Sequence, residues 1–333
     1  MTTVLIDGNS LTYRAFFALP TDLATSSGQV TNAVYGFTSM LVNLLRDREP
    51  DAIAVAFDRP EPTFRHERVA TYKAQRDATP DLLVEQFGLV RQVLEALGIP
   101  IVEVVGYEAD DVLATLATAA RDAGRDVTVV TGDRDVYQLV EDPHVTVLYN
   151  KRGVSDYVLY DEAGILDRTG VTPERYVDYA ALRGDASDNL PGVPGVGEKT
   201  AAKLINAYGG LDGIFAHVDE QTPKLRQSLI DHEALARLNG EMMVLERHVP
   251  LEVGLDDLAW SGEVDAEAVR RLFDFLEFRA LYGRLAEVLG DALGPPPSDA
   301  EVVEAEARRP DDLAALVSEL ATIDAHDAPL AVA

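Results

Sequence analysis

The sequence contains no cysteine, which excludes disulfides and thiolate-held metals outright. No run reaches about 18 uninterrupted apolar residues, the length a membrane-spanning helix needs. The first stretch, "MTTVLIDGNS", meets an acid at Asp7 and lacks the long apolar core of a secretory signal. No GxxxxGK[ST] phosphate loop occurs, which disfavours a nucleoside triphosphatase. Cations are scarce: 29 Lys and Arg face 57 Asp and Glu, for a net charge of −28. Such an excess of acid argues at first against a nucleic-acid partner. Its distribution matters more than its sum. Residues 291–333 hold ten acids and two Arg, so −8 of the −28 lies in a tail. The window 59–76, "RPEPTFRHERVATYKAQR", is the most basic of its length, with five Arg or Lys and two Glu.

What is present suffices for packed cores. The apolar fraction is 47%, and 333 residues accommodate two domains. Through residue 150, short apolar runs alternate with helical patterns. Strands are expected at 3–7, 52–58, 99–105, 126–133 and 145–150, and helices at 32–47, 81–97 and 109–124. Thr79-Pro80 reads as an N-cap and N1 pair, and Gly98 and Gly124 as helix C-caps. Alternation of this kind predicts a mainly parallel sheet flanked by helices. From about residue 170 the pattern is helical throughout. The stretch 293–312, with four prolines and many acids, reads as a linker, and "APLAVA" as the first strand of a further domain.

Acids sit where strands end. Asp7, Asp58, Asp133 and Asp135 follow apolar runs, and ligands of open parallel sheets bind beyond the carboxyl ends of the strands. "GYEADDVLA" adds Glu108, Asp110 and Asp111 at a helix start. Each alone has a plain explanation, because Asp favours turns and the first turn of a helix. Seven at one edge cannot all stay charged without a cation. Hard oxygen donors point to Mg²⁺, with Mn²⁺ able to substitute, rather than Zn²⁺. Seven donors exceed the needs of one Mg²⁺, so two ions about 4 Å apart are expected, the arrangement of phosphodiester hydrolysis.

The second half adds "ALRGDASDNLPGVPGVGEKTAAKLI" at 181–205. A glycine turn carrying Gly192, Gly195 and Gly197 opens into a helix bearing Lys199 and Lys203. Backbone N–H groups at such a turn form an anion site, so this reads as a helix-hairpin-helix that grips DNA phosphate. Asp185 and Asp188 just ahead are either caps or further metal ligands.

Taken in order, "LIDGNSLTYRAFFALP", "TNAVYGF", "AVAFDRPEPTFRHE", "YKAQRDATPDLL", "GYEADDVLATLA", "TGDRDVYQLV" and the 182–204 stretch resemble the 5′ nuclease domains of the flap endonuclease family. That is the kind found in bacterial DNA polymerase I. The resemblance covers roughly residues 1–290. It implies a PIN-like α/β catalytic domain over 1–170 and a helical arch at about 59–80. It also implies a helix-hairpin-helix lobe over 171–290, with 291–333 as linker and start of a truncated domain. It places the metal ligands at Asp7, Asp58, Glu108, Asp110, Asp111, Asp133, Asp135, Asp185 and Asp188. One ion would be held through Asp58, Glu108 and Asp110, the other through Asp133, Asp135 and Asp185. Potassium at the hairpin is a further implication. Lys73 and Arg76 would steer and polarise the scissile phosphate, Tyr72 would stack on a base and Arg65 would touch phosphate. Tyr13 and Arg14 are weaker candidates for the substrate surface; Phe16 and Phe17 read as core.

The function expected is a Mg²⁺-dependent 5′–3′ exonuclease and flap endonuclease. It would be monomeric, cytoplasmic and nucleoid-associated, acting on DNA with a 5′ flap, nick or RNA primer, with a polymerase domain in the same full-length chain. A PIN-type ribonuclease and a non-catalytic DNA-binding module are the rivals.

Overall fold

The computed structural model describes residues 1–293. Among them eight strands form: β1 (Thr2–Asp7), β2 (Ala52–Ala56), β3 (Ile101–Val102), β4 (Asp126–Thr131), β5 (Val145–Arg152), β6 (Asp156–Tyr160), β7 (Gly184–Asp185) and β8 (Leu190–Pro191). Helices α1 (Gly8–Ala18), α2 (Asn32–Arg48), α3 (Phe64–Arg68), α4 (Asp81–Ala96), α5 (Ala109–Asp122) and α6 (Glu162–Thr169) belong to the first half. The second half has α7 (Tyr176–Arg183), α8 (Glu198–Tyr208), α9 (Leu211–Ala216), α10 (Pro223–Met243), α11 (Ala266–Phe275) and α12 (Arg279–Leu289).

The main sheet runs β3-β2-β1-β4-β5-β6. Every pairing is parallel except β5 with β6. Both faces are covered, which is why its central strands are mostly apolar and buried along their length. Side chains alternate between two cores because the strand period is two. Val4 and Ile6 pack with Phe37, Leu41, Val90 and Leu281 on the side of α2, α4 and α12. Leu5 packs on the opposite side with Leu113, Val129, Tyr137, Tyr176 and Met242. This second core continues into α7, α8 and α10, so the helical lobe and the sheet share one interior. No described helix is long and apolar enough to cross a membrane.

Several expectations change. The strand at 99–105 shrinks to Ile101–Val102 at the sheet edge. The edge strand β6 and helices α1 and α6 are present in addition to the elements expected from the sequence. Gly98 and Gly124 do adopt positive φ, at 62° and 65°, after their helices. α4 starts at Asp81 as its apolar pattern predicts, but Pro80 rather than Thr79 is its N-cap, and the Thr79 hydroxyl instead contacts the Tyr13 hydroxyl at 2.5 Å. The segment 59–80 holds only the five-residue α3 and a series of turns, not a helical arch. Pro60 and Pro62 lead into α3 and Pro80 bounds the far end, and these restrict the helical space left. Between them, Lys73 N donates to Asp188 O at 3.1 Å and Gln75 Nε2 to Ala186 O at 2.7 Å. The expected tail lies, from residue 294 on, outside the described residues.

Candidate metal centre and nucleic-acid interface

Because β1, β2 and β4 are parallel neighbours, their carboxyl ends meet at one edge. The chain order reverses at β1, which creates the crevice where such sheets bind ligands. There a cleft of about 660 Å³ is lined by Asp7, Asp58, Glu108, Asp110 and Asp133, with Lys73 and Arg76. A second cleft of about 360 Å³ shares Asp133 and adds Asp185, Arg134 and Arg183.

Local hydrogen bonds hold the acids in place. Asp7 caps α1, accepting from Ser10 N at 2.8 Å, and accepts from Thr131 Oγ1 at 2.7 Å. Thr131 Oγ1 also accepts from Asp133 N at 3.0 Å, and Ser10 Oγ from Gly132 N at 2.9 Å. Asn9 Oδ1 accepts from Asp58 N, and Asp58 Oδ1 from Ala109 N at the start of α5. Three strand ends and one helix start are thereby stitched together. Asn9, Ser10 and Thr131 were not singled out from the sequence. They adjoin the acids in "DGNS" and "TGD", where they pass for ordinary turn residues. Asp135 N donates to Asp133 Oδ1 at 2.9 Å, and Ser187 N to Asp185 Oδ1 at 2.7 Å.

Burial, and then mutual repulsion, pushes the Asp110 and Asp135 carboxyls well above the ordinary carboxylate range. Asp133 rises for the same leading reason, and Asp7 is pushed up to about 7 by burial despite two hydrogen bonds that oppose it. Asp58 is also raised by desolvation, but its side chain meets cleft solvent, which screens the effect. Asp110 Oδ1 is buried and has no hydrogen-bond partner. A carboxylate oxygen left unpartnered beside other acids is what a cation site requires and what a merely structural Asp avoids. The donor set thus fits a hard divalent ion. Among the described residues, no three such side chains are already gathered around one point, so binding an ion would draw them together.

A pH dependence follows from Asp7. Its folded-state value lies above the unfolded one, 3.8, so the folded chain holds a proton that the unfolded chain has lost. The stability this gives is full below about pH 4 and is lost as pH rises through about 7. Without divalent metal, the stability contributed by this group is expected to fall across that window by ~1.4 kcal/mol for each step in pH of one, and the melting temperature with it. Saturating Mg²⁺ should flatten the fall in a calorimetric pH series; a slope identical with and without Mg²⁺ would count against the site.

Four expectations are overturned. Asp111 is not in the cleft: it is fully buried, and its two oxygens accept from both terminal nitrogens of Arg65, from Glu108 N and from Glu246 N. Arg65, expected at phosphate, is 1% exposed and also donates to Met242 O and Val244 O. It clamps the end of α10 to α5, and no phosphate can reach it. Tyr72, expected to stack on a base, is 3% exposed, with its hydroxyl between Glu108 and Asp188 and Lys73 Nζ lying 4.9 Å from its ring centre. Phe17 departs in the other direction, being 72% exposed on the cleft rim beside Tyr13, not core.

Lys73 and Arg76 do face the cleft. Lys73 pairs with Glu108 at 2.7 Å, and Arg76 with Asp188 at 2.7 Å. Burial would raise the Glu108 carboxyl, but Lys73 and Arg65 outweigh it and hold it below its usual range.

In the helical lobe, α7 leads through the β7–β8 hairpin and a turn at 192–197 into α8. The turn requires its glycines. A Cβ at Gly192 would lie 2.0 Å from Arg183 O, and Gly195 has φ +84°. Gly197 is the N-cap of α8 and offers no side chain there, leaving the first backbone N–H groups open. Lys199 and Lys203 are exposed on the first two turns. Asn239 Nδ2 ties the hairpin to α10 through Ala181 O and Pro191 O.

An acid-lined crevice at the switch point of a parallel sheet, joined to a helix-hairpin-helix, defines a PIN-type nuclease fold. Residues 2–170 match the 5′-3′ exonuclease N-terminal resolvase-like domain and residues 171–266 the 5′-3′ exonuclease C-terminal SAM fold, and the chain belongs to this 5′–3′ exonuclease family. It is 50% identical over 295 residues to DNA polymerase I of Mycobacterium tuberculosis H37Rv, a match covering 88% of this chain and 32% of the relative. DNA polymerase I of Bacillus caldotenax is 43% identical over 330 residues, covering 98% of this chain and 37% of the relative. The chain therefore spans about a third of the length of these relatives. Bacteriophage T5 D15 flap endonuclease, solved as a pseudo-enzyme-product complex with DNA and metal ions, shares the fold at TM-score 0.60 and 22% identity, covering 83% of this chain and 100% of that one. Human GEN1 bound to Holliday junction DNA shares it at TM-score 0.57 and 17% identity, covering 86% of this chain and 71% of that one.

Proposed function

We propose that this chain is a divalent-metal-dependent, structure-specific 5′ nuclease that hydrolyses DNA, and RNA primers, at 5′ flaps and nicks. The observation that carries the metal chemistry is the buried, unpartnered Oδ1 of Asp110 among the acids of the switch-point crevice. Asp58, Glu108 and Asp110 would hold one ion and Asp133, Asp135 and Asp185 the other, with Asp110 shared and Asp7 and Asp188 adjoining. Mg²⁺, or Mn²⁺ in its place, would stabilise charge on the attacking and leaving oxygens and lower the pKa of water.

The chain's own residues do the rest. Lys73 and Arg76 stand at the cleft to bind and orient the scissile phosphate. The 192–197 turn and Lys199 and Lys203 would grip duplex phosphates, and K⁺, where bound, would be held at that turn. Contacts of this kind carry no sequence information, so selection is by shape. We assign 1–170 to catalysis, with 59–80 as the substrate-facing strap, and 171–290 to duplex binding. Residues 291–333 would lead to a polymerase domain in a monomeric, cytoplasmic full-length protein acting on the nucleoid.

With Mg²⁺, a 5′-flap DNA is expected to be cut near the flap base while single-stranded RNA of equal length stays intact, and chelation of the metal should stop cleavage. RNA cut as readily as the flap would favour a PIN-type ribonuclease. Tight flap binding with no product would leave a DNA-binding module without chemistry.

A further inference from the structure

The cations beside the cleft are already engaged. Lys73 Nζ meets Glu108 Oε1, Arg76 Nη2 meets Asp188 Oδ1, and the Tyr72 hydroxyl lies 3.0 Å from Glu108 Oε2 and 2.9 Å from Asp188 Oδ2. All four carboxylate oxygens of these two acids thus face a group on the strap. A phenol carries a single proton, so Tyr72 can donate to only one of its two carboxylates at a time. When it donates to Glu108, whose Oε2 also has Arg65 Nη1 3.4 Å away, Asp188 Oδ2 is left against a lone pair, an arrangement that a cation would relieve.

Neutral bonds reinforce the contact. Asn189 Nδ2 donates to Thr71 O at 2.7 Å, Gln75 Nε2 to Ala186 O at 2.7 Å and Lys73 N to Asp188 O at 3.1 Å. On either side, Lys73 and Asn189 sit in left-handed backbone conformations, φ 55° and 58°. Residues with side chains hold that conformation only where contacts over-determine it. Asp7, Asp110, Asp133 and Asp135, by contrast, form no ion pair among the described residues.

We propose that the 71–76 strap is a metal-released latch. In the metal-free chain Tyr72, Lys73 and Arg76 occupy Glu108 and Asp188; a divalent cation drawn in by the unpaired acids takes those carboxylates over and sets the strap free. The latch rests on the metal reading above. The exchange delivers Lys73 and Arg76 to the substrate phosphate only when the ion is in place. Coupling of this kind is reciprocal: whatever loosens the strap must tighten metal binding, because the fraction of molecules with free ligands scales the apparent affinity.

Gln75→Ala tests this without altering charge, since Gln75 is exposed and outside the cleft lining. Asn189→Ala, which removes the bond to Thr71 O, is the second variant. In the 333-residue chain, Mg²⁺ is expected to speed amide exchange over 71–76. Each variant should speed the same exchange without metal and tighten calorimetric Mg²⁺ binding about fivefold, the equivalent of one hydrogen bond. Strap exchange that Mg²⁺ slows or leaves unchanged overturns the latch and leaves the metal site standing. So does Mg²⁺ affinity unmoved in both variants. An absence of Mg²⁺ binding to the native chain overturns latch and metal site together.

Discussion

Asp110→Asn is expected to lower flap cleavage by at least about 10³-fold, the equivalent of the several kcal/mol of charge stabilisation a metal supplies in the transition state. Duplex binding through the helix-hairpin-helix should persist, because that surface lies on other elements. The same substitution should raise the melting temperature of the metal-free protein. It removes a carboxylate that is desolvated, repelled by Asp133, Asp7 and Asp58, and unpartnered at Oδ1. It should also erase most of the stabilisation by Mg²⁺. Flap assays and thermal melts with and without Mg²⁺ read all three effects. Near-native cleavage would remove Asp110 from the metal centre, and lowered metal-free stability would show that its carboxylate has a structural partner.

The neighbouring acid should behave in the opposite way. Asp111→Ala strands the Arg65 guanidinium in the interior and is expected to destabilise the fold by about 3–5 kcal/mol, the usual effect of breaking a buried ion pair. The bond is bidentate, at 2.6 and 2.8 Å, and Asp111 also accepts from Glu108 N and Glu246 N. Mg²⁺ should not restore the loss. Denaturant unfolding of Asp111→Ala and Arg65→Met gives the size of the effect, and cleavage by the surviving folded fraction should fall far less than for Asp110→Asn. If Asp111→Ala unfolded like the native chain yet lost cleavage a thousandfold, it would be a ligand after all.

These two residues show where a sequence stops being legible. "EADD" announces a helix start with three acids, and helical geometry alone separates the directions of Asp110 and Asp111. Which direction holds the cleft and which the interior depends on α10, whose end arrives about 130 residues later with Met242, Val244 and Glu246. The basic window misleads for the same reason. Arg65, Arg68, Lys73 and Arg76 look alike as charge, yet one is sealed against α5, one is paired on the surface with Glu241, and two face the cleft. Tyr72 offers an aromatic ring to the sequence and a hydroxyl to the structure. Phe17 looks apolar and core-bound, but α1 turns it outward at the rim.

By itself the sequence determined the parallel sheet, the acids at its carboxyl edge, the glycine turn at 192–197 and, through the resemblance, the family. Each of these depends on short-range pattern: apolar runs, the residue that ends a strand, and positions where only glycine fits the backbone. Only the tertiary structure decided which acids share the crevice, which cations reach it and how the 71–76 strap closes on Glu108 and Asp188. Those outcomes are set by contacts between residues far apart in the chain. Burial there, rather than residue type, fixes whether a charge faces water, a partner or the cleft.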